Sequence, residues 1–255
     1  MTQGEFTWYE LMTTDTEAAR AFYGDVMGWG DRKPGASIIP YTLFTANDVP
    51  VSGLMDLPRE LRSMGVPPNW MGSIYVDDVD AAAAKAASLG AEIKCQPMDI
   101  PDVGRFATIA DPTGAVVVLL HWRMAGGTPK SDTMSPGRVG WHELITSDWP
   151  RALSFYQAMF GWEKAEAMDI GEMGTYQLFR LGDRMIGGMM TRPPQMPVSA
   201  WLFYVNVPAI DAAVERVAAG GGKLLNGPVQ VPGGSWVVQC MDPQGAAFAM
   251  VAPGR

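Results

Sequence analysis

The segment WYELMTTDTEAARAFYGDVMGW, Trp8 to Trp29, is written again 133 residues later as WHELITSDWPRALSFYQAMFGW, Trp141 to Trp162. At that single offset the copies agree at Trp8/Trp141, Glu10/Glu143, Leu11/Leu144, Thr13/Thr146, Asp15/Asp148, Ala19/Ala152, Phe22/Phe155, Tyr23/Tyr156, Gly28/Gly161 and Trp29/Trp162. A second block, YTLFTANDVPVSGLMDLP from Tyr41, returns at an offset of 135 as YQLFRLGDRMIGGMMTRP, matching at Tyr41/Tyr176, Leu43/Leu178, Phe44/Phe179, Asp48/Asp183, Gly53/Gly188, Met55/Met190 and Pro58/Pro193. DPTGA at Asp111 returns 131 residues on as DPQGA at Asp242. The order is kept with only small shifts, so a whole domain has been duplicated rather than a short solenoid unit. The chain must therefore fold as two similar domains, 1–124 and 138–255, joined by a Gly-, Pro- and Ser-rich linker over 125–137.

Within the first half, FTWYELMT alternates as a strand does, and Thr14-Asp15-Thr16-Glu17 supplies an N-cap and capping box. The helix that follows sets Ala18, Phe22 and Val26 on one face and stops at Gly28. YTLFTAN and PVSGLMD read as strands turned around Asn47-Asp48. After GVPPNW the plan restarts: strand MGSIYVDD, helix DAAAAKAASLG ending at Gly90, strand AEIKCQ, and a hairpin turned at Asp111-Pro112-Thr113-Gly114. Each half thus holds two β-α-β-β-β modules, in the α+β class, and the chain holds four. GGMM and AAGGGKLLNGP lack phosphate-loop spacing and read as turns and a bulged strand start.

A hydrophobic fraction of 47% suits a globular protein with substantial cores. A formal charge of −8 with no run of Lys or Arg argues against nucleic acid or an anionic membrane as partner and leaves a small molecule or a protein. No apolar run reaches bilayer-spanning length and the first residues carry no signal-peptide pattern, so a soluble, cytoplasmic protein is expected. Cys95 and Cys240 do not correspond in the repeat and are expected as buried free thiols. The 18 methionines can fill core gaps or line an adaptable apolar pocket.

The module order, with D…A..FY…GW after the first strand and DP.G before the last, resembles the vicinal oxygen chelate superfamily, also called the glyoxalase, bleomycin-resistance and extradiol dioxygenase fold. More narrowly it resembles a tandem two-domain bacterial branch labelled hydroxylase or glyoxalase-like. The resemblance implies that paired modules curl their mixed sheets into cups, and that metal-dependent members place His, Gln or Glu ligands on the cup floor. Counted onto this chain, those positions fall at Trp8 and Trp141, at Met71 and Ala200, and at Val118 and Ala249, with a further carboxylate position near Met55 and Met190. None of these side chains suits Zn²⁺, Ni²⁺, Mn²⁺ or Fe²⁺, so no metal and no cofactor is expected.

Strand alternation puts Glu10 beside Trp8 and Glu143 beside Trp141 on the cup faces. A carboxylate in an apolar cleft has its pKa raised and can serve as acid or base; it can equally fix the cup by hydrogen bonding. Tyr75 and Tyr204 share strand parity with Met71 and Ala200 and can offer a hydroxyl to a ligand or cap the sheet. His142 points away from Trp141 and Glu143, and His121 ends a strand; both read as packing residues. Two functions follow as expectations: binding of a small apolar or aromatic metabolite in cups lined by Trp8, Met55, Met71, Trp141 and Met190, or an enzyme of the same superfamily using Glu10 and Glu143 or an unforeseen metal site. Fusion of two domains supplies within one chain a contact that single domains make by pairing, so a monomer or a homodimer is expected.

Overall fold

A computed structural model describes residues 1–35, 39–123 and 133–255. The linker expected over 125–137 lies outside the described residues up to 132. Four modules run in order. The first is β1 (Phe6–Thr13), α1 (Thr16–Met27), β2 (Gly30–Arg32), β3 (Thr42–Ala46) and β4 (Val49–Asp56), followed by a short α2 (Arg59–Ser63). The second is β5 (Asn69–Tyr75), α3 (Val79–Ser88), β6 (Glu92–Ile100), β7 (Gly104–Ala110) and β8 (Val116–Trp122). The third is β9 (Val139–Thr146), α4 (Trp149–Phe160), β10 (Glu163–Asp169), β11 (Thr175–Leu181) and β12 (Arg184–Thr191). The fourth is β13 (Ala200–Asn206), α5 (Ile210–Ala219), β14 (Lys223–Gln230), β15 (Trp236–Met241) and β16 (Ala247–Ala252). They form two eight-stranded mixed sheets, ordered β2-β3-β4-β1-β5-β8-β7-β6 and β10-β11-β12-β9-β13-β16-β15-β14. In each module the first and last strands pair in parallel, as in Glu10 opposite Gly53 and Glu143 opposite Gly188.

Local chemistry accounts for the element ends. Asp15, Asp78 and Asp148 each accept a 3.0 Å bond from the backbone N–H three residues on, which satisfies an orphan donor of the helix. Helices α1 and α4 stop at Gly28 and Gly161, whose φ of 70° and 72° lie in the left-handed region that favours glycine. Asn47 and Asp48 both take positive φ, the two-residue turn that matches the twist of a hairpin.

Four details differ from the sequence reading. Ala18 is exposed and Ala19 takes the buried place in α1, because the stripe extends through Tyr23 and Met27. The exposed three-residue β2 has no apolar alternation to announce it. GGMM lies inside β12 rather than in a turn: its glycines admit Phe179 and Tyr176 across the strand. Cys95 is only half-buried, since β6 is a sheet edge, whereas Cys240 is buried.

The described residues fall into two compact units. The inner-module unit takes residues 1–7, 72–123 and 141–202, and so joins the second module to the third. The outer-module unit takes residues within 8–71, 133–140 and 203–255, joining the first module to the fourth.

The repeated motif holds each unit together. In the outer-module unit Tyr23 donates to Asp242 Oδ2 at 3.0 Å and accepts from Trp70 Nε1 at 2.9 Å, while Trp29 Nε1 donates to the carbonyl of Gly137 at 2.8 Å. In the inner-module unit Tyr156 accepts from Trp201 Nε1 at 3.1 Å and Trp162 Nε1 donates to the carbonyl of Gly4 at 2.9 Å. Gly4 and Gly137 hold φ of 85° and 80°, and a Cβ would meet Phe160 Cβ at 2.7 Å or Ala46 Cβ at 2.9 Å. Each indole also packs on its tyrosine, and Trp162 is stacked between Tyr156 at 4.8 Å and Phe179 at 4.7 Å. Lys85 Nζ reaches the Met159 carbonyl near the end of α4, and Arg216 makes two bonds to the Val26 carbonyl near the end of α1, placing a cation at each negative helix terminus.

Candidate functional site

On β1 Leu11 is wholly buried in the core that holds α1, so alternation turns Trp8, Glu10 and Met12 to the opposite face. There Tyr41, which precedes β3, bridges Trp8 and Glu10: its hydroxyl accepts from Trp8 Nε1 at 3.1 Å and donates to Glu10 Oε1 at 2.5 Å. The bridge depends on Gly53, which faces Glu10 on β4; a Cβ there would overlap the Tyr41 hydroxyl. Burial raises the Glu10 pKa, and the Tyr41 bond draws it part of the way back. Burial, with the Glu10 charge next in weight, holds the Tyr41 pKa well above its ordinary value, so the phenol keeps its proton. Chemically this is a carboxyl group able to hold or release a proton beside an indole wall.

The third module repeats the arrangement with its exposure reversed. Trp141 Nε1 donates to the Tyr176 hydroxyl at 2.9 Å, and Gly188 opposite Glu143 leaves the room that the Tyr176 ring fills. Trp8 is 7% exposed and Glu10 half-buried; here Glu143 is 5% exposed and Trp141 half-buried.

The remaining candidates divide between the units. Met55 lies opposite Met12 and, with Met71, Tyr204 and Ala249, belongs to the outer-module unit. Tyr204 and Ala249 are buried, and the Tyr204 hydroxyl accepts from Gln239 Nε2 at 2.9 Å. Tyr75, Val118, Met190 and Ala200 belong to the inner-module unit with Trp141 and Glu143. Tyr75 lies 5.7 Å from the His121 ring, and its pKa is raised by burial first and by Asp77 second. The position answering Met71 is Leu202 rather than Ala200: Trp70 and Trp201 make the same bond to their tyrosines, and Ser73 faces Val118 as Tyr204 faces Ala249. His142 turns to the other face as alternation requires, 2.6 Å from the Ile186 carbonyl and stacked on Phe6 at 4.2 Å; burial pushes its pKa down to about 4 and keeps it neutral. Tyr41 and Tyr176 carry no site role in the sequence reading, although their recurrence at the same offset as Gly53 and Gly188 is the signal that could have found them.

The donors at the counted ligand positions do not fit a divalent metal. Trp8 and Trp141 present N–H groups committed to tyrosines, and Met71, Leu202, Val118 and Ala249 bring no oxygen or imidazole. Among the described residues no group of three or more His, Cys, Asp or Glu is placed to hold a metal ion.

Four β-α-β-β-β modules in two mixed sheets, each pair of modules locked by the repeated aromatic motif, define a glyoxalase-type fold. The chain belongs to the glyoxalase/bleomycin resistance protein/dioxygenase superfamily, whose profile matches residues 138–250. The bleomycin resistance protein-like N-terminal profile matches residues 5–30. Over its whole length the chain is similar to the putative glyoxylase CFP32 of Mycobacterium tuberculosis, at 35% identity over 98% of this chain and 95% of the relative. It is also similar to the anthracycline biosynthesis protein DnrV of Streptomyces peucetius, at 31% identity over 97% and 93%. Among solved structures, the Mn(II)-bound glyoxalase from Novosphingobium aromaticivorans shares the fold at a TM-score of 0.69 and 16% identity, over 99% of this chain and 83% of that one. Among the described residues no helix is long and apolar enough to cross a membrane.

Proposed function

We propose that this protein binds a small apolar or aromatic molecule at the Trp–Tyr–Glu clusters of the first and third modules. The observation that carries the reading is the Tyr41 bridge between Trp8 and Glu10. It fixes an indole beside a carboxyl group where the superfamily's counted metal ligand would stand, with Met55 next to Met12 as pliable apolar lining. Similarity to a protein named for anthracycline biosynthesis supports an aromatic ligand, since anthracyclines are polycyclic aromatics. The raised Glu10 pKa supports a second reading, an enzyme of the superfamily in which Glu10 and Glu143 act as acid or base. Two free thiols are in keeping with a reducing, cytoplasmic setting and with a monomer or homodimer held without disulfides.

A screen of polycyclic aromatics by thermal shift tests this. Binders are expected, and Trp8→Ala with Trp141→Ala is expected to abolish their effect; binders that shift wild type and the double variant equally would overturn it. Should turnover of any of them be found, full activity in a Glu10→Gln, Glu143→Gln variant would remove the enzymatic reading.

A further inference from the structure

The two clusters share their residues and differ in which end is open. At the first module Trp8 is buried, and Glu10 keeps Oε1 for Tyr41 while no described residue hydrogen-bonds to Oε2. Glu10 is half-buried, and none of the ion pairs among the described residues includes it. Oε2 is not among the buried atoms that lack a partner, so it stands open at the edge of an apolar face, where an incoming donor can reach it. At the third module the carboxyl is covered, and the half-buried rings of Trp141 and of Tyr176, which holds it, remain accessible. A fixed indole edge or face recognises flat apolar surface and does not discriminate by donor.

Resting on the binding reading above, we infer that the duplicated clusters have divided their recognition: the Glu10 cluster takes aromatic ligands that carry a hydroxyl or ammonium donor, and the Trp141 cluster takes aromatic surface whether or not a donor is present. Glu10 recognises through the free Oε2, while Glu143 serves as a buried anchor of its module.

The test compares 2-naphthol with 2-methoxynaphthalene, the same ring system with and without the donor, titrated by calorimetry into the full-length protein. Glu10→Gln keeps an oxygen for Tyr41 and replaces the second oxygen by an NH₂ group, so it is expected to weaken the 2-naphthol site roughly 10- to 100-fold, the range for a hydrogen bond to a charged group, and to leave 2-methoxynaphthalene unchanged. Trp141→Ala is expected to abolish 2-methoxynaphthalene binding and to leave one 2-naphthol site. An unchanged 2-naphthol isotherm in Glu10→Gln, or an equal response of both probes to it, overturns the division and leaves the binding reading standing. Failure of both probes to bind wild type overturns both. An unchanged unfolding temperature in Glu10→Gln shows that the comparison is made on folded protein.

Discussion

The two compact units are built on one motif and wired differently at its loop. In the outer-module unit the DPQG loop is tied to α1, since Asp242 Oδ1 accepts from the backbone N–H groups of Gln244 and Ala246 while Oδ2 takes the Tyr23 hydroxyl. That leaves Thr13 Oγ1 and Gln244 Oε1 buried without partners. In the inner-module unit Asp111 Oδ1 makes the same loop bonds, accepting from the N–H groups of Thr113 and Ala115, but the loop is also tied to the end of β9 and to the residue before β13: Thr146 Oγ1 donates to Thr113 Oγ1 at 2.7 Å, and Ser199 Oγ donates to the Thr113 carbonyl at 2.8 Å. There Asp111 Oδ2 is the buried atom without a partner, although Asp111 lies close enough to Tyr156 to raise the phenol's pKa after burial has done so. Packing differs in the same sense. The outer-module core leaves a hollow no larger than a water beside Tyr9, Ser52, Trp70 and Phe203, with Ser52 Oγ unpaired at its wall. In the inner-module unit a Cβ at Gly187, which answers Ser52 in the repeat, would overlap Phe179 and the His142 backbone. Duplication has kept the aromatic scaffold that joins modules and let the small polar residues around it drift, so that the two units leave different sets of buried atoms unsatisfied.

The sharpest way to break this comparison is to remove the two tyrosine hydroxyls in turn. Tyr23→Phe strands both Asp242 Oδ2 and the Trp70 N–H and is expected to cost about 2–4 kcal/mol. Tyr156→Phe strands the Trp201 N–H and removes a weaker interaction with Asp111, and is expected to cost about 1–2 kcal/mol. Urea unfolding of both variants measures the gap; equal losses would contradict the unequal wiring.

The reverse experiment gives the outer-module loop its counterpart's residue. Gln244→Thr supplies a hydroxyl to Thr13, as Thr113 does to Thr146, and is expected to stabilise by about 0.5–1.5 kcal/mol. Calorimetric melting checks the sign, and a lower melting temperature would show that the orphaned atoms are met in some other way.

Buried Asp242 supplies a pH test. Burial is the largest influence on its pKa and raises it, the loop N–H groups and Tyr23 opposing. The native state therefore binds the proton more tightly than the unfolded chain, and stability is lost as pH rises from the ordinary aspartate value of 3.8 through the raised one. The stability of wild type relative to Asp242→Asn is expected to fall across that window; a difference that stays flat with pH would refute the assignment.

The smallest contrast lies at the helix termini. Arg216→Met breaks two bonds to Val26 and is expected to cost about 0.5–1 kcal/mol, and Lys85→Met, with a single 3.3 Å bond, about half as much. Denaturant melts in high salt should compress both.

Much of this architecture is legible in the amino-acid order because it rests on short-range rules. Asp15 caps a helix, Gly28 ends it, and Asn47-Asp48 turns a hairpin, each from its own chemistry. What escaped needs a partner distant in sequence. Tyr41 is one of several matches in the repeat until Gly53 on the neighbouring strand is seen to leave room for its hydroxyl. The grouping of the first module with the fourth follows from Tyr23 meeting Asp242, 219 residues away, which no local pattern encodes. The displacement of Ala200 by Leu202 comes from the change of offset between repeated blocks, from 135 to 131: Trp70 and Trp201 already follow the offset of the DPTGA and DPQGA loops, and the strand register agrees.

Tyr41 couples Trp8 to the Glu10 carboxyl, whose proton affinity burial raises. The most direct measurement is a ¹³C NMR titration of the Glu10 carboxyl in wild type and in Tyr41→Phe. A wild-type pKa above the ordinary 4.5 is expected, with a further rise when the Tyr41 hydrogen bond is removed, because that bond favours the ionised form. A Glu10 pKa at its ordinary value, unmoved by Tyr41→Phe, would contradict this coupling.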